Sequence, residues 1–224
     1  MPDIKKSPPL RISPQPSYKI GKSERTRAAV LDAALEFIWS HPFRDMTVKE
    51  LKYSSGLSSS AFYQNFDDLL NLMETRLNML KEEIFAVTGA WFEGTGDPII
   101  LLNESLNGLV SVCYRSGPIL RATLDAAASD KRLEKAWLDF IGEFDDAATT
   151  RIEADQQQGL IRKFDARPVA YALNRLDAHT LSEAFGQRPR SKPEPILAAL
   201  SHIWISTLYG SEYLAKGSSD MVRT

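Results

Sequence analysis

The sequence contains little cysteine or histidine, and this scarcity excludes several classes of protein. Cys113 is the single cysteine among 224 residues, so an intrachain disulfide and a cysteine-based metal cluster are both excluded. Its apolar neighbours predict a buried, inert thiol rather than a redox sensor. The three histidines, His41, His179 and His202, lie far apart, and none belongs to a metalloprotease-type motif. We therefore expect neither a metal ion nor another cofactor, and no converging catalytic set of the kind that an enzyme needs.

Long apolar runs are also missing. No stretch approaches the ~20 apolar residues that a membrane helix requires, and the amino-terminal segment has no apolar core of the kind that marks a secretory signal. Hydrophobic residues make up 43% of the chain and charged residues 25%, as in an ordinary soluble globular protein. We therefore expect a cytoplasmic protein that does not bind membranes.

The net charge of −2 conceals an uneven distribution of charge. Residues 1–66 hold ten Lys and Arg against six acids, whereas residues 67–224 hold the other seventeen against twenty-three. A basic first segment on an acidic remainder is typical of a polyanion-binding module joined to a regulatory domain. Residues 1–22 contain five prolines and few large apolar groups, which predicts a disordered basic arm. Such an arm is either a solvated tail or a segment that contacts DNA phosphates.

Residues 47–72, TVKELKYSSGLSSSAFYQNFDDLLNL, carry the most informative pattern of the chain. Thr47, with Glu50 three residues later, can form a capping box at the start of a short helix. Gly56 is free to adopt a positive φ where that helix ends, and Ser58 can cap a second short helix. Two short helices around a glycine-centred turn predict a helix-turn-helix, which commonly places a helix in the major groove of DNA.

The second of these helices is predicted to be apolar inside and polar outside. Leu57, Phe62 and Phe66 can face inward, which leaves hydroxyl and amide side chains outward, where they could meet base edges and phosphates. An ordinary helical hairpin with a polar outer face would show the same spacing, so the pattern alone leaves both interpretations open. The candidate DNA-binding residues are Arg25, Thr47, Lys49, Lys52, Ser58, Ser59, Ser60, Tyr63, Gln64 and Asn65.

The rest of the chain shows helical periodicity without strand-like alternation. A first helix starts near Glu24. A long helix follows the acids Asp67 and Asp68, whose charge suits a helix amino terminus, and it should end near Gly94. The further predicted helices span 98–115, 118–127, 130–158, 166–186 and 193–213. This makes nine helices and an all-α fold, with three helices in an amino-terminal head and six in a body.

Two groups of residues resemble a known family. The capped helix at Thr47, the Gly56-Leu57-Ser58 turn, and Tyr63 with Phe66 resemble the head of TetR-family transcriptional regulators. The stretches ALNRLDAHTLSEAF and HIWISTLYG are similar to the subgroup around the mycobacterial repressor of ethionamide activation. The resemblance implies a nine-helix TetR-type fold divided into a basic arm (1–22), a helix-turn-helix domain (23–66), an effector-binding and dimerisation domain (67–216) and a tail (217–224).

The resemblance also implies an effector site, because members of that subgroup bind lipophilic ligands in an aromatic channel. The matching positions here are Trp137, Phe140, Phe144, Asn174, Asp177, Phe185 and Trp204. The first three form one stripe on a helix, which is more often plain core. Asp177 stands where those relatives carry Asn, and a carboxylate facing an apolar cavity is costly unless paired. We therefore expect an effector that presents a donor or a cation, unless Asp177 is protonated, paired with an arginine or turned to solvent.

The implied function is a ligand-responsive TetR-family repressor that binds a double-stranded DNA operator as a homodimer and is released by a lipophilic small molecule. Its last two helices would form the dimer surface, with an apolar stripe at Ile196, Leu200, Ile203, Thr207 and Leu208. Leu69 stands where the family usually has a lysine that contacts a DNA phosphate, and losing one such contact lowers the salt dependence by about one unit. A ligand-binding dimer with a weakened DNA-binding head is therefore one alternative, and an enzyme is the other.

Overall fold

The computed structural model describes residues 21–56 and 58–210, and over these ranges the chain forms eight α-helices, one 3₁₀ turn and no strand. The elements are α1 (Lys22–Ile38), the 3₁₀ turn (Phe43–Asp45), α2 (Val48–Ser55), α3 (Ser59–Tyr63), α4 (Leu69–Glu93), α5 (Pro98–Ala127), α6 (Lys131–Gln157), α7 (Ala166–Phe185) and α8 (Pro193–Leu208). The predicted all-α class is confirmed. Most of the predicted arm, Leu57, the last predicted residues of the body and the predicted tail lie outside the described residues. None of these helices is long and apolar enough to cross a membrane.

The helix count differs from the prediction because α5 continues through Pro118. A proline inside a helix has no N–H for the carbonyl four residues earlier, and here that carbonyl belongs to Tyr114. Arg190, from the loop between α7 and α8, donates from Nη1 to the Tyr114 oxygen at 2.5 Å. The guanidinium supplies the missing hydrogen bond, so one 30-residue helix replaces the two predicted ones.

Gly117, which falls between the two predicted helices 98–115 and 118–127, lies where α5 meets α7. A Cβ atom at this position would lie within 2.4 Å of the Phe185 carbonyl oxygen. The glycine therefore permits a close helix crossing instead of ending a helix.

Helix ends elsewhere in the chain depend on local groups. Asp130 caps α6, since its carboxylate accepts from the backbone N–H groups of Arg132 and Leu133 at 2.8 and 3.1 Å. α3 ends at Tyr63. The helical part of α8 ends at Leu208, followed by Gly210 at a φ of 92°.

The apolar core runs without interruption from the head into the body. One cluster of buried side chains begins with Val30, Leu51 and Phe62 in the head, continues along α4 and reaches Phe140 on α6. A second cluster surrounds Trp91 at the carboxyl end of α4. Because α4 contributes to both clusters, it is the element that joins the head to the interior of the body.

Candidate DNA-binding surface and effector cavity

The turn between α2 and α3 has the geometry that its sequence predicts. Thr47 Oγ1 accepts from the Glu50 N–H at 3.2 Å, and the Glu50 carboxylate accepts from the Thr47 N–H at 3.1 Å, so the capping box is formed. Gly56 ends α2 at a φ of 68°. Ser58 Oγ accepts from the Ala61 N–H at 3.1 Å and so caps α3.

The outward face of α3 is polar and open to solvent. Phe62 and Phe66 are buried, at 3% and 2% exposure, whereas the Tyr63 side chain is 61% exposed. Ser59, Ser60 and Gln64 are exposed as well. This face can therefore contact another molecule without any change in the head.

Three candidate residues of this surface already use their side chains in hydrogen bonds within the head. The Thr47 hydroxyl donates to Glu50 Oε2 at 2.7 Å, and the Ser58 hydroxyl holds the start of α3. Asn65 Nδ2 donates to the Ala61 carbonyl at 2.8 Å and closes the end of the same helix. These three residues shape the motif, so their contact with DNA would have to be made in addition to their structural roles.

Three basic candidate residues of the head are open to solvent. Arg25 on α1 and Lys49 and Lys52 on α2 are exposed, as phosphate contacts require. Sequence reasoning missed Tyr53, which is 92% exposed on α2. An aromatic side chain between polar neighbours on a short helix was the available signal.

The acidic start of α4 is partly neutralised. Asp68 caps the helix by accepting from the Asn71 N–H at 2.6 Å, and this hydrogen bond lowers the pKa of its carboxyl group. Arg132 of α6 binds the other Asp68 oxygen at 2.9 Å and also pairs with Glu74 at 2.6 Å. Asp67 remains exposed, and Leu69 is half-buried as the first residue of α4.

A narrow cavity of about 60 Å³ lies inside the body, lined by residues of α4, α5, α6, α7 and α8. Small-molecule sites usually measure roughly 300–1,000 Å³, so a ligand of that size requires the walls of this cavity to separate. Its walls are mainly apolar and aromatic, with a few polar groups. The lining residues are Ile84, Thr88, Trp91, Phe92, Leu102, Ser105, Leu106, Leu109, Cys113, Leu120, Phe140, Ile141, Phe144, Asn174, Asp177, Ala178, Leu181 and Trp204.

Five of the seven predicted effector-site residues line this cavity: Phe140, Phe144, Asn174, Asp177 and Trp204. The other two do not. Trp137 is half-buried on α6 and stacks on Phe140 from the side, with ring centroids 5.4 Å apart. Phe185 is fully buried against the ring of Tyr114, at a centroid distance of 5.4 Å. Phe185 therefore belongs to the crossing of α5 and α7, which the α7 sequence alone does not reveal.

Trp91 and Phe92 line the cavity but were missed by sequence reasoning. Both lie on α4, to which the predicted effector site assigns no residue. Trp91 packs edge-on against Trp204, with ring centroids 5.5 Å apart. Its indole Nε1 donates to Tyr209 Oη at 3.1 Å, and that hydroxyl donates to Asp155 at 2.7 Å. The position of α4 is therefore tied directly to the cavity wall.

Asp177 faces the cavity and not the solvent. The residue is 5% exposed, and both of its carboxylate oxygens lie 3.0 Å from Nε1 of Trp204, which donates to them. Arg175, the nearest arginine along the helix, pairs instead with Asp145 at 2.8 Å. Burial raises the pKa of Asp177 to about 7. The solvent-facing and arginine-paired arrangements are therefore both excluded.

Cys113 forms part of the same wall. Its side chain has no exposed surface, and burial raises the pKa of the thiol. The protonated thiol is a poor nucleophile, in agreement with the inert role predicted for it.

Comparisons with known proteins place this architecture in a family. A family described as "Transcriptional regulator EthR, C-terminal domain" matches residues 102–210, which contribute most of the cavity lining. The HTH-type transcriptional regulator EthR of Mycobacterium tuberculosis strain H37Rv is 26% identical over 188 residues, which cover 81% of this chain and 86% of that protein. Residues 102–210 therefore belong to the EthR carboxyl-terminal domain family, and the chain as a whole is similar to TetR-family transcriptional regulators of the EthR type. The names of its relatives thus agree with the expectation that it is not an enzyme.

Solved structures of TetR-family proteins share the fold. A TetR-family regulator from Syntrophomonas wolfei superimposes with a TM-score of 0.71 at 12% identity, over 83% of this chain and 95% of that one. AibR in complex with isovaleryl coenzyme A and operator DNA superimposes with a TM-score of 0.62 at 14% identity, over 83% and 98% of the two chains. At these identities the likeness concerns the TetR-family fold alone.

Proposed function

We propose that this TetR-family regulator is a homodimeric repressor that binds a double-stranded DNA operator and is released by a lipophilic small molecule. One observation carries the proposal: α4 begins next to Tyr63 of α3 and ends in the cavity wall at Ile84, Thr88, Trp91 and Phe92. A molecule that enters the cavity therefore touches the same helix that positions the DNA-binding head. A regulator of this kind acts where the DNA is, so the proposal includes a cytoplasmic location.

The mechanism is a shift between two populated shapes. In the empty protein the two α3 helices of the dimer lie at the spacing of successive major grooves, about 34 Å. A ligand that separates α4 from the other cavity walls favours a shape in which α4 and the head have rotated. Operator affinity then falls by the ligand's preference for that shape, typically 1–3 kcal/mol or about 5–150-fold. The AibR complex, which contains both a small molecule and operator DNA, supports this combination in one fold.

Dimerisation through α7 and α8 belongs to the same proposal. In the predicted stripe, Leu200 and Leu208 are buried in the chain's own core, whereas Ile196, Ile203 and Thr207 are half-buried. Small and apolar side chains remain on the outer faces of the two helices, namely Pro168, Tyr171, Ala172, Pro195, Ala198 and Ala199. A symmetric contact across these faces would bring the two heads to the same side. Sedimentation equilibrium that gives a monomer mass at micromolar concentration would refute it.

The decisive experiment selects the DNA that the protein binds and then tests whether residues of the head are needed to bind it. Genomic fragments retained by the protein are sequenced, and their affinity is measured by fluorescence anisotropy for the native protein and for a Tyr63→Ala/Gln64→Ala variant. We expect the variant to lose sequence-specific binding while keeping its helical circular dichroism spectrum. Leu138→Ala is the matched control, since Leu138 is an apolar residue that is 55% exposed on α6 of the body. Loss of specificity in the control, or none in the head variant, would overturn the proposal.

The second candidate is a ligand-binding dimer with a weakened DNA-binding head. It is favoured by Leu69 at the start of α4 and by the exposed carboxylate of Asp67 beside it, which replace positive charge with neutral and negative groups. A salt titration separates the two candidates, because specific binding persists at moderate salt where non-specific binding is lost. Affinity for selected fragments no tighter than for random DNA would favour the second candidate.

A further inference from the structure

Asp177 is a buried carboxylate with unused hydrogen-bonding capacity. A carboxylate offers about four acceptor positions, and the indole N–H of Trp204 is the donor that contacts it. Among the residues that line the cavity there is no Lys, Arg or His. The cavity wall, as described, thus supplies no counter-ion for this charge.

The other polar groups of the cavity already have partners. The Thr88 hydroxyl donates to the Ile84 carbonyl at 2.8 Å, and the Ser105 hydroxyl donates to the Thr88 carbonyl at 3.2 Å. Asn174 donates through Nδ2 to Asp145 at 2.9 Å. Asp177 is therefore the polar group of the cavity that lacks a charge partner, which a ligand would supply.

Charged side chains near Asp177 along the surrounding helices point away from the cavity. Arg175 pairs with Asp145, Arg115 with Glu83 and exposed His179 with Glu183, while His202 is exposed. The thiol of Cys113 faces the cavity, but it is uncharged because its pKa is raised by burial. None of these groups contacts Asp177, whose carboxylate accepts from Trp204.

The aromatic walls complete the chemistry of the site. Phe140 and Phe144 pack edge-to-face at a centroid distance of 5.2 Å, and Trp91 packs the same way against Trp204. Aromatic faces attract cations, and such attraction is strongest in a desolvated site. A neutral donor would gain only the hydrogen bond, whereas a cation gains both the ion pair and the aromatic contacts.

We infer that the effector of this regulator is a lipophilic cation, in the form of a protonated amine on an apolar chain or ring, whose charged group binds Asp177. The apolar part lies against the aromatic walls of the cavity, which separate to admit it. This inference rests on the proposed function, since it takes the cavity to be the effector site.

Proton linkage gives the inference a signature that a purely structural role of Asp177 lacks. Because burial raises the pKa of Asp177 to about 7, the empty protein holds this group partly protonated near neutral pH. A cation binds the ionised form, so its affinity should rise about tenfold from pH 6 to pH 8 as that form becomes dominant. The affinity of a neutral ligand has no reason to rise with it.

The test compares three probes with one carbon skeleton: decylamine, 1-decanol and decanoate. Affinities are measured by isothermal titration calorimetry on the full chain at pH 6 and pH 8. We expect decylamine to bind most tightly, and Asp177→Asn to weaken decylamine at least tenfold and abolish its pH dependence while leaving 1-decanol within a few-fold. Asp146→Asn is the matched control, because Asp146 is an exposed carboxylate on α6. Asp177→Glu keeps the charge and should keep the preference for the amine.

Equal affinity for all three probes, or an amine affinity that Asp177→Asn leaves unchanged, would overturn the inference while the cavity still serves as a ligand site. Absence of binding by all three would also overturn it. The proposed function is judged separately by the DNA selection, which does not depend on the charge of the ligand. Helical circular dichroism of each variant ensures that a loss of binding is not a loss of folding.

Discussion

The head presents exposed basic side chains, whereas the body buries a charged pair. In the head, Arg25, Lys49 and Lys52 are exposed. In the body, Arg151 and Asp155 are buried at 8% and 1% exposure and pair at 3.0 Å. The difference indicates that these three charges of the head are available to a partner, whereas the buried pair of Arg151 and Asp155 stabilises the structure of the body.

The two ends of α4 show the same contrast. At its amino end, Arg132 holds Asp68 and Glu74 through ion pairs that water can reach. At its carboxyl end, the buried Arg151 guanidinium donates to the carbonyls of Trp91 and Gly94 at 2.6 and 2.9 Å. Exposed ion pairs are weak and screened by salt, whereas buried donors are costly to remove. Movement of α4 should therefore be larger at the head than at the cavity.

The largest expected effect comes from removing the buried charge of the body. Arg151→Met leaves the Asp155 carboxylate buried without its cation and frees two carbonyls, so it should lower the free energy of unfolding by about 3–5 kcal/mol. Urea denaturation measures this. Arg167→Ala removes an ion pair whose members are 63% and 67% exposed, and it should change stability by less than about 1 kcal/mol. Similar losses of unfolding free energy in Arg151→Met and Arg167→Ala would contradict the expected difference between buried and exposed charge.

A pH-dependent effect is expected next, at Asp177. Its pKa in the folded protein, about 7, lies above the ordinary aspartate pKa of 3.8, so the native state binds this proton more tightly than the unfolded state does. Asp177 therefore destabilises the fold least when the pH is below its pKa in the unfolded chain. The free energy of unfolding falls as the pH rises from that value to the pKa of Asp177 in the folded protein. Asp177→Asn removes this penalty.

The stability gain of Asp177→Asn should therefore be greater at pH 8 than at pH 5, by roughly 3 kcal/mol. Urea denaturation of both proteins at the two pH values measures it, and groups common to both proteins cancel in the difference. A gain that is the same at both pH values would show that the carboxylate is not desolvated as the cavity requires.

A third prediction concerns the exposed charge of the head. Lys49→Ala/Lys52→Ala should change stability by no more than about 0.5 kcal/mol, because neither side chain is buried. Each lysine that contacts a phosphate contributes about one unit to the salt dependence of DNA binding, so the slope should fall by about two units. Fluorescence anisotropy across a salt series measures it, with Lys131→Ala on α6 as the control. An unchanged slope would remove both lysines from the DNA-binding surface.

The smallest effect distinguishes the two acids before α4. Asp67→Asn should strengthen DNA binding by a small factor, since it removes an exposed negative charge beside the head. Asp68→Asn should strengthen it less, because Arg132 already neutralises that carboxylate. The same anisotropy assay ranks the two variants. A greater gain from Asp68→Asn would mean that the ion pair between Arg132 and Asp68 opens when DNA binds.

Local signals in the sequence predicted the head well. The capping box at Thr47, the positive φ of Gly56 and the cap at Ser58 all depend on residues within a few positions of each other, and each is confirmed. The continuous α5 could not be predicted in the same way. Pro118 is tolerated there because Arg190, 72 positions later in the sequence, bonds the freed carbonyl.

The cavity was predicted only in part, and for a related reason. Phe140 and Phe144 share a face of one helix, so periodicity identified them as one group. Periodicity does not reveal which helices enclose that face, and Trp91 was therefore missed. Whether the lining residues bind a ligand remains a prediction, as does DNA binding by the exposed face of α3.

The position of Arg190 has a consequence for the whole chain. Its guanidinium lies 5.3 Å from the ring centroid of Trp39 in the head and 3.8 Å from that of Tyr114 in the body, while it bonds the carbonyl that Pro118 leaves without a donor. A protein truncated after Gly186 would therefore lose more than α8. Its longest helix, α5, would bend near Pro118. The head would also lose the cation–π contact between Arg190 and Trp39. Deletion of the carboxyl-terminal segment should therefore disturb the amino-terminal head.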